Sequence, residues 1–312
     1  MDGGIMIKFG DTYLKYGDTY LNDWVPSHID PYNPLNLPPY TIRLLYRDGS
    51  EPPDKSYRGA TYNHVSQSPN IWDVTCEDAD WGQLLHGGGG WFGYYDVLAV
   101  LGANTTNVTS MQHLFGSFYN LSSVALFDTS DVIDMGVMFA NCHSLSSIQD
   151  FNTSNVTNME GIFCTCTSLT SVPNFNTSSV TNMCRMFAEC SAIKTVPAFN
   201  TNNVTNMENM FNYCRSLTYV PSFDTSNVTT MKNMFVECNS LTSVPLFDTS
   251  KVTNMDRMFI YCSNVQSGAL ALYQQASTQT NPPTSHHDTF CQCGRNTETG
   301  RAELAQIPDD WK

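Results

Sequence analysis

The sequence predicts an α/β solenoid, and three alignments of the chain on itself carry that prediction. Phenylalanine recurs at 127, 151, 175, 199, 223 and 247, and the valine of an N-V-T element at 108, 132, 156, 180, 204, 228 and 252. Cysteine recurs at 142, 166, 190, 214, 238 and 262. All three give a period of 24 residues with no slippage between Val97 and Leu270. A fixed period in the range of about 20–50 residues is the signature of stacked repeats.

The spacing inside one repeat predicts its shape. Met207, Met210, Phe211 and Cys214 stand at i, i+3, i+4 and i+7, as do Met159, Ile162, Phe163, Cys166 and Met255, Met258, Phe259, Cys262. That is one face of a short α-helix. Thr157, Thr205 and Thr253 precede Glu160, Glu208 and Asp256 by three positions, a capping-box pattern. The S-L-T-S-V-P segment, ended by Pro173, Pro197, Pro221 or Pro245, reads as a short strand. The following D-T-S-N or N-T-S-N run is turn chemistry, because Asx and Ser/Thr side chains bond their own backbone. One strand and one helix per repeat is the leucine-rich-repeat plan, here with Met and Phe in the places of Leu. A single repeat buries about eight apolar side chains at roughly 1.5–3 kcal/mol each. Ordering its backbone costs about 1–2 kcal/mol per residue. A lone repeat is therefore unstable, and stacked neighbours must share a core. The first ring of the stack, Phe115, is expected to be held less firmly if that end is loosely capped.

The N-V-T-x-M-x-x-M-F-x-x-C-x-x-L-x-x-V pattern from Val97 to Leu270 resembles the repeat of the BspA-like family of bacterial surface proteins. The resemblance implies a cell-surface adhesion or host-interaction role, and it brings no shared catalytic residues with it.

Before the repeats lie three segments. Residues 1–22 form an arm in which Phe9-Gly10-Asp11-Thr12-Tyr13-Leu14 returns as Tyr16-Gly17-Asp18-Thr19-Tyr20-Leu21. Apolar alternation around G-D-T predicts small hairpin strands. The arm resembles the short G-x-T repeats at the ends of fibre and other virion proteins of phages of gut bacteria. That resemblance implies anchoring through Phe9, Tyr13, Leu14, Tyr16, Tyr20 and Leu21. Residues 23–40 hold five prolines and read as a stiff linker. Residues 41–96, with a strand at Thr41–Tyr46, read as a cap over the first open repeat. Val97, Val100 and Ala103 fall in register with Leu121, Val124 and Phe127, so the solenoid begins with a partial repeat. Residues 271–312 read as the C-terminal cap, entered through a helix beginning near Gly268.

The net charge is −14, with seven excess acids before residue 104, five within 104–271 and two after it. With no basic patch, neither nucleic acid nor an anionic membrane surface is an expected partner. No apolar run is long enough to span a bilayer. The first residues, Met1-Asp2-Gly3-Gly4-Ile5-Met6, lack a basic and an apolar region, so no secretory leader is expected.

Catalytic and metal motifs are weak. His86-Gly87-Gly88-Gly89-Gly90-Trp91 resembles the oxyanion loop of lipases, but no G-x-S-x-G nucleophile accompanies it, and a surface loop is the plainer reading. His286, His287, Cys291 and Cys293 are zinc-ligand types in an uncommon H-H-x3-C-x-C spacing, and loop residues are the expectation. Six of the 11 cysteines form the 24-residue column and are expected to be buried, reduced thiols. Neither enzymatic activity nor a cofactor is expected. Outward positions of the predicted strands, Lys194, Thr195, Thr218, Tyr219, Thr242 and Ser243, are the candidate binding face. The expected function is a non-enzymatic virion protein of a tailed phage, a head or tail fibre or decoration protein. Other virion proteins would be partners through the arm, a host-surface protein or glycan would be the target, and self-association is compatible. A bacterial surface adhesin is the alternative, and an intracellular interaction scaffold the second.

Overall fold

The computed structural model describes residues 36–47, 61–65, 70–76 and 96–312, together with the backbone of two strands at 5–9 and 12–16. The His86–Trp91 segment, expected as a surface loop, Tyr20, Leu21 and most of the proline-rich stretch lie outside the described residues. Strands β1 (Ile5–Phe9) and β2 (Thr12–Tyr16) pair antiparallel with Phe9 opposite Thr12, in the arm where small hairpin strands were expected.

Strands β3 (Thr41–Tyr46), β4 (Thr61–His64), β5 (Ile71–Thr75), β6 (Val97–Asn104) and β7 (Ser123–Val124) form one sheet in the order β4-β5-β3-β6-β7. Pairing is antiparallel as far as β6, which then pairs parallel with β7. Val100 faces Val124 across that last pair, one period apart. The N-terminal sheet thus runs directly into the first coil. Its buried side chains, among them Ile42, Leu44, Trp72, Val74 and Val100, share one core with the repeats. Arg43 and Asp73 sit opposite each other in the register and close a two-pronged ion pair of 2.6 and 2.7 Å.

Within the repeats the expected helix is absent, and this corrects the α/β reading. In the coil around Phe211, the N–H groups of Met207, Asn209, Phe211 and Tyr213 donate to Thr230, Lys232, Met234 and Val236 of the next coil at 2.7–3.2 Å. The intervening Met210, Asn212 and Cys214 donate back three residues, to Met207, Asn209 and Phe211. Asn209 (φ 57°) and Tyr213 (φ 60°) are left-handed, which ends any α-helical run. The same two positions are left-handed at Val137 and Asn141, Gly161 and Thr165, Arg185 and Glu189, Asn233 and Glu237, and Arg257 and Tyr261. A left-handed residue costs about 1–2 kcal/mol, and a net hydrogen bond contributes about 0.5–1.5 kcal/mol. Four bonds to the next coil offset two such residues, whereas an isolated two-turn helix has little stability to offer. The apolar side chains still point inward, because successive four-residue turns present the same i, i+3, i+4, i+7 pattern as a helix.

The expected strand is also displaced. Within the S-L-T-S-V-P segments only Ser123–Val124 and the Ser243–Ser267 bridge form ladder pairs, while Thr170 and Thr218 each give a single N–H to the coil before, at Ser146 and Lys194. The prolines that end this segment have no N–H to give to a ladder. Continuous parallel pairing runs instead through the T-N-M segment, from Ser110 through Asp134, Asn158, Asn182, Asn206, Thr230 and Asn254 to Ser285. The capping box is likewise not formed. The Thr157, Thr205 and Thr253 hydroxyls donate to the preceding coil at Ile133, Thr181 and Thr229. The local turn is made one residue later, where the Asn158, Asn206 and Asn254 side-chain oxygens accept from the N–H of Glu160, Glu208 and Asp256.

The turn chemistry of the D-T-S-N run is as expected. Asp128, Asn152, Asn176, Asn200, Asp224 and Asp248 each accept from the N–H two residues on. The buried Thr129, Thr153, Thr177, Thr201 and Thr225 donate their hydroxyls to the next coil's Asx carbonyl at 2.7–2.9 Å. Each buried hydroxyl is satisfied, so the column adds register without a desolvation penalty.

Along the axis, Phe115, Phe139, Phe163, Phe187, Phe211, Phe235, Phe259 and Phe290 form one column of stacked rings, with centroids 5.0–6.0 Å apart. Beside it the thiols of Cys142, Cys166, Cys190, Cys214, Cys238 and Cys262 each donate to the carbonyl of a phenylalanine one coil back, from Phe115 to Phe235, at 2.9–3.3 Å.

The C-terminal segment departs from the expected cap. Residues 285–293 form a further coil, accepting from Met255, Arg257, Phe259 and Tyr261 through Ser285, His287, Thr289 and Cys291. Phe259 to Phe290 is 31 residues instead of 24. The extra length accommodates helix α1 (Ala269–Thr278), which stands where a closing helix was expected. The end is sealed by helix α2 (Glu298–Leu304) and by Trp311, which is buried against Phe290, His286 and Tyr273.

Candidate functional site

The candidate face follows from the L-x-x-V frame. Ile193 and Val196, Leu217 and Val220, and Leu241 and Val244 are buried, so the residues between them face outward. Lys194, Thr195, Thr218, Tyr219 and Thr242 are exposed and Ser243 is half-buried. Ser146-Ser147 and Thr170-Ser171 extend the same band. Thr218 is tied to Lys194 by both its N–H (3.0 Å) and its hydroxyl (3.1 Å). Tyr219, 57% exposed, is the large ring on this face. The band offers hydroxyls and one ring, with no acid–base pair among the named positions.

A second edge carries residues that the sequence reading missed. The left-handed position two residues after each column phenylalanine holds Glu189, Tyr213, Glu237 and Tyr261 in consecutive coils. Their N–H groups donate to Asn212, Val236, Ile260 and Cys291 at 2.7–3.0 Å, which fixes where each side chain leaves the surface. The Arg215 guanidinium lies 5.4 Å from the Tyr213 ring centre and pairs with Glu237 at 2.9 Å. The one sequence signal was the return of tyrosine at Tyr213 and Tyr261, two periods apart, in a column that otherwise holds small or polar residues.

The thiols divide by burial. Cys142, Cys166, Cys190, Cys214, Cys238 and Cys262 are held well above the ordinary thiol range by desolvation. The thiolate is the reactive form, so these groups are chemically inert. Cys164, Cys184 and Cys291 are half-buried, and burial pushes Cys184 up to about 11. In the native protein a thiol reagent should label Cys164, Cys184 and Cys291 first. The other eight thiols should react only after denaturation, giving all 11 without reductant. Full labelling of the native protein, or a denatured count far below that total, would overturn the buried column.

His286, His287, Cys291 and Cys293 are not gathered into one site. Cys293 is buried in the cysteine column of the last coil, and burial raises it to about 12. His286 stacks on Trp311 at 4.2 Å and reaches Asp310 at 3.5 Å. Among the described residues no group of three His, Cys, Asp or Glu side chains is placed to hold a metal ion. Of the anchor-arm residues, Phe9 lies on β1 and Tyr13, Leu14 and Tyr16 on β2. Tyr20 and Leu21 lie outside the described residues.

Stacked coils on a single core, with side chains repeated along each face, define a tandem-repeat solenoid. Residues 98–196 and 191–281 match the family described as "Mycoplasma protein of unknown function, DUF285". Those matches span more than half of the chain, which belongs to that family, and its repeats are of the BspA-like type. Among solved structures, it is similar to a leucine-rich repeat protein from Bacteroides ovatus ATCC 8483, at 16% identity and a TM-score of 0.30. The similarity covers 64% of this chain and 61% of the Bacteroides protein. No curated protein matches. Among the described residues, no helix is long and apolar enough to cross a membrane.

Proposed function

We propose that the protein is a non-enzymatic virion component of a tailed phage, a head or tail fibre or decoration protein that displays its solenoid to a host-surface protein or glycan. The observation that carries this reading is the β1–β2 pair, in an arm whose sequence carries G-D-T twice, in a chain whose other described part is a stack of coils on one core. A two-stranded hairpin is marginal by itself and gains stability by adding to strands of another chain. A single packed core holds the outer faces in fixed register, as a display surface requires. Membership of the repeat family favours a second reading, a bacterial surface adhesin.

A truncated chain beginning at Asn36 tests the anchor. Leu37 must be kept, because it is buried and its carbonyl accepts from the Asn104 side chain at 2.8 Å. The truncated protein should keep the cooperative thermal melt of the full chain and lose incorporation into virions. Unfolding or aggregation would make the arm part of the core. Normal incorporation would remove the anchor, and display of the full chain on a bacterial surface would select the second reading.

A further inference from the structure

We infer that Tyr213, Arg215, Glu237 and Tyr261 form a platform for a neutral oligosaccharide of pyranose rings, a ligand class that rests on the proposed contact with a host surface. The two tyrosines occupy a place where other coils hold Asn141, Thr165, Glu189 and Glu237 in the same left-handed backbone. The fold therefore does not require a ring there. Bulky residues are uncommon in this conformation, so a ring there twice is not what the backbone favours. Neither ring is spent on the core, since Tyr213 is 36% and Tyr261 39% exposed.

The spacing selects the ligand. Phe211, Phe235 and Phe259 stand two residues before Tyr213, Glu237 and Tyr261, and their rings are 5.4 and 5.0 Å apart. Two coils therefore separate the tyrosines by roughly 10 Å, at about the strand-to-strand spacing per coil. That is about the length of a disaccharide, so alternate sugars of one chain can meet the two rings. Aromatic faces take the C–H faces of pyranose rings. The Arg215 guanidinium covers one face of Tyr213 at 5.4 Å and leaves the other for the sugar, while its pair with Glu237 (2.9 Å), in the coil between the tyrosines, presents donors and acceptors to the sugar hydroxyls. A cationic ligand fits less well, although rings beside carboxylates attract cations. Arg215 already lies against Tyr213 and neutralises Glu237.

The test uses the full-length protein, isothermal titration calorimetry, and cellotetraose and chitotetraose as probes, with glucose and N-acetylglucosamine as the monomers. A tetrasaccharide should bind measurably and its monomer should not. Tyr213→Asn and Tyr261→Asn should each weaken binding about tenfold, and the double variant should abolish it. Asn141 holds the same backbone conformation natively, so these variants should melt as the parent does. Leu246→Asn, at a side chain that is 65% exposed and belongs to neither face, should leave binding unchanged. Absence of binding to both tetrasaccharides, binding insensitive to both ring substitutions, or binding of tetralysine in their place would overturn the platform. Adsorption of phage carrying the double variant separates the two ideas. Unimpaired adsorption by virions whose protein has lost tetrasaccharide binding would sink the receptor role and leave the platform standing.

Discussion

The protein should unfold cooperatively between about pH 9 and pH 10 at room temperature, well below the range in which most proteins fail in alkali. The cause is the thiol column. Six thiols, from Cys142 to Cys262, are wholly buried, and desolvation holds each of them protonated far above the ordinary range. In the unfolded chain the same thiols titrate near 8.5. Below that pH both states hold the proton and stability is fully present. Above it the unfolded chain releases protons that the native chain retains, so stability falls as pH rises toward the native values. Each thiol then contributes a loss of about 1.4 kcal/mol per pH unit. Six acting together remove about 8 kcal/mol per unit, against a typical total of about 5–15 kcal/mol.

Urea midpoints measured under reductant from pH 7 to pH 10 check this. A flat profile to pH 8 followed by a steep fall is expected. A slope near pH 9.5 no larger than one or two thiols can supply would mean that the column ionises in place, and so is wet. Cys190→Ala should make the fall shallower by about one-sixth while lowering the neutral-pH stability through the cavity it leaves.

Different parts of the fold were legible for different physical reasons. Burial pattern was legible, because a side chain that faces the core must be apolar in any backbone conformation. Met207, Met210, Phe211 and Cys214 were therefore placed inside correctly. The backbone path was not, because the same spacing suits a helix or a run of four-residue turns. What decides between them is the bond from Asn209 to Lys232 in the next coil, which no single-repeat pattern records. Nor does the sequence advertise the left-handed positions, since only Gly161 among the two per coil is a glycine and the rest include Val137 and Thr165. The capping-box reading failed for the same reason, as there was no helix end at Thr205 to cap.

At the surface, the outward pairs such as Lys194-Thr195 followed directly from buried Ile193 and Val196. Tyr213 and Tyr261 were passed over because variation within a column reads as tolerance. In a stack it can equally mark where rings were placed on a frame that does not need them. The last coil was hidden by the extra residues of α1. Its trace was Phe290-x-x-Cys293, the Phe-x-x-Cys spacing of every earlier coil from Phe139-x-x-Cys142 onward, displaced from the period.

Phe187→Ala should destabilise the protein by about 3–5 kcal/mol, the usual range for a buried aromatic truncated to alanine. Phe187 is fully buried and stacks on Phe163 and Phe211 at 5.8 Å each and on Phe199 at 6.2 Å. Its carbonyl accepts the Cys214 thiol and its N–H donates to Met210, so the cavity also loosens bonds on both sides. In a stack where each coil touches only its neighbours, a break in the middle divides the array. Phe115→Ala tests the end. A looser hold was expected there only if the end were loosely capped, and in the structure Phe115 is fully buried against Phe118, Phe127 and Phe139. The N-terminal sheet seals that end by pairing β6 with β7. The loss at Phe115 should therefore lie within about 1 kcal/mol of that at Phe187, since both create a cavity of the same kind. Chemical denaturation of the two variants beside the parent measures both. A loss at Phe115 below about 1 kcal/mol would mean that the first coil frays and that the sheet does not share the core. A reduced dependence on denaturant in Phe187→Ala alone would be the mark of an array that melts in two halves.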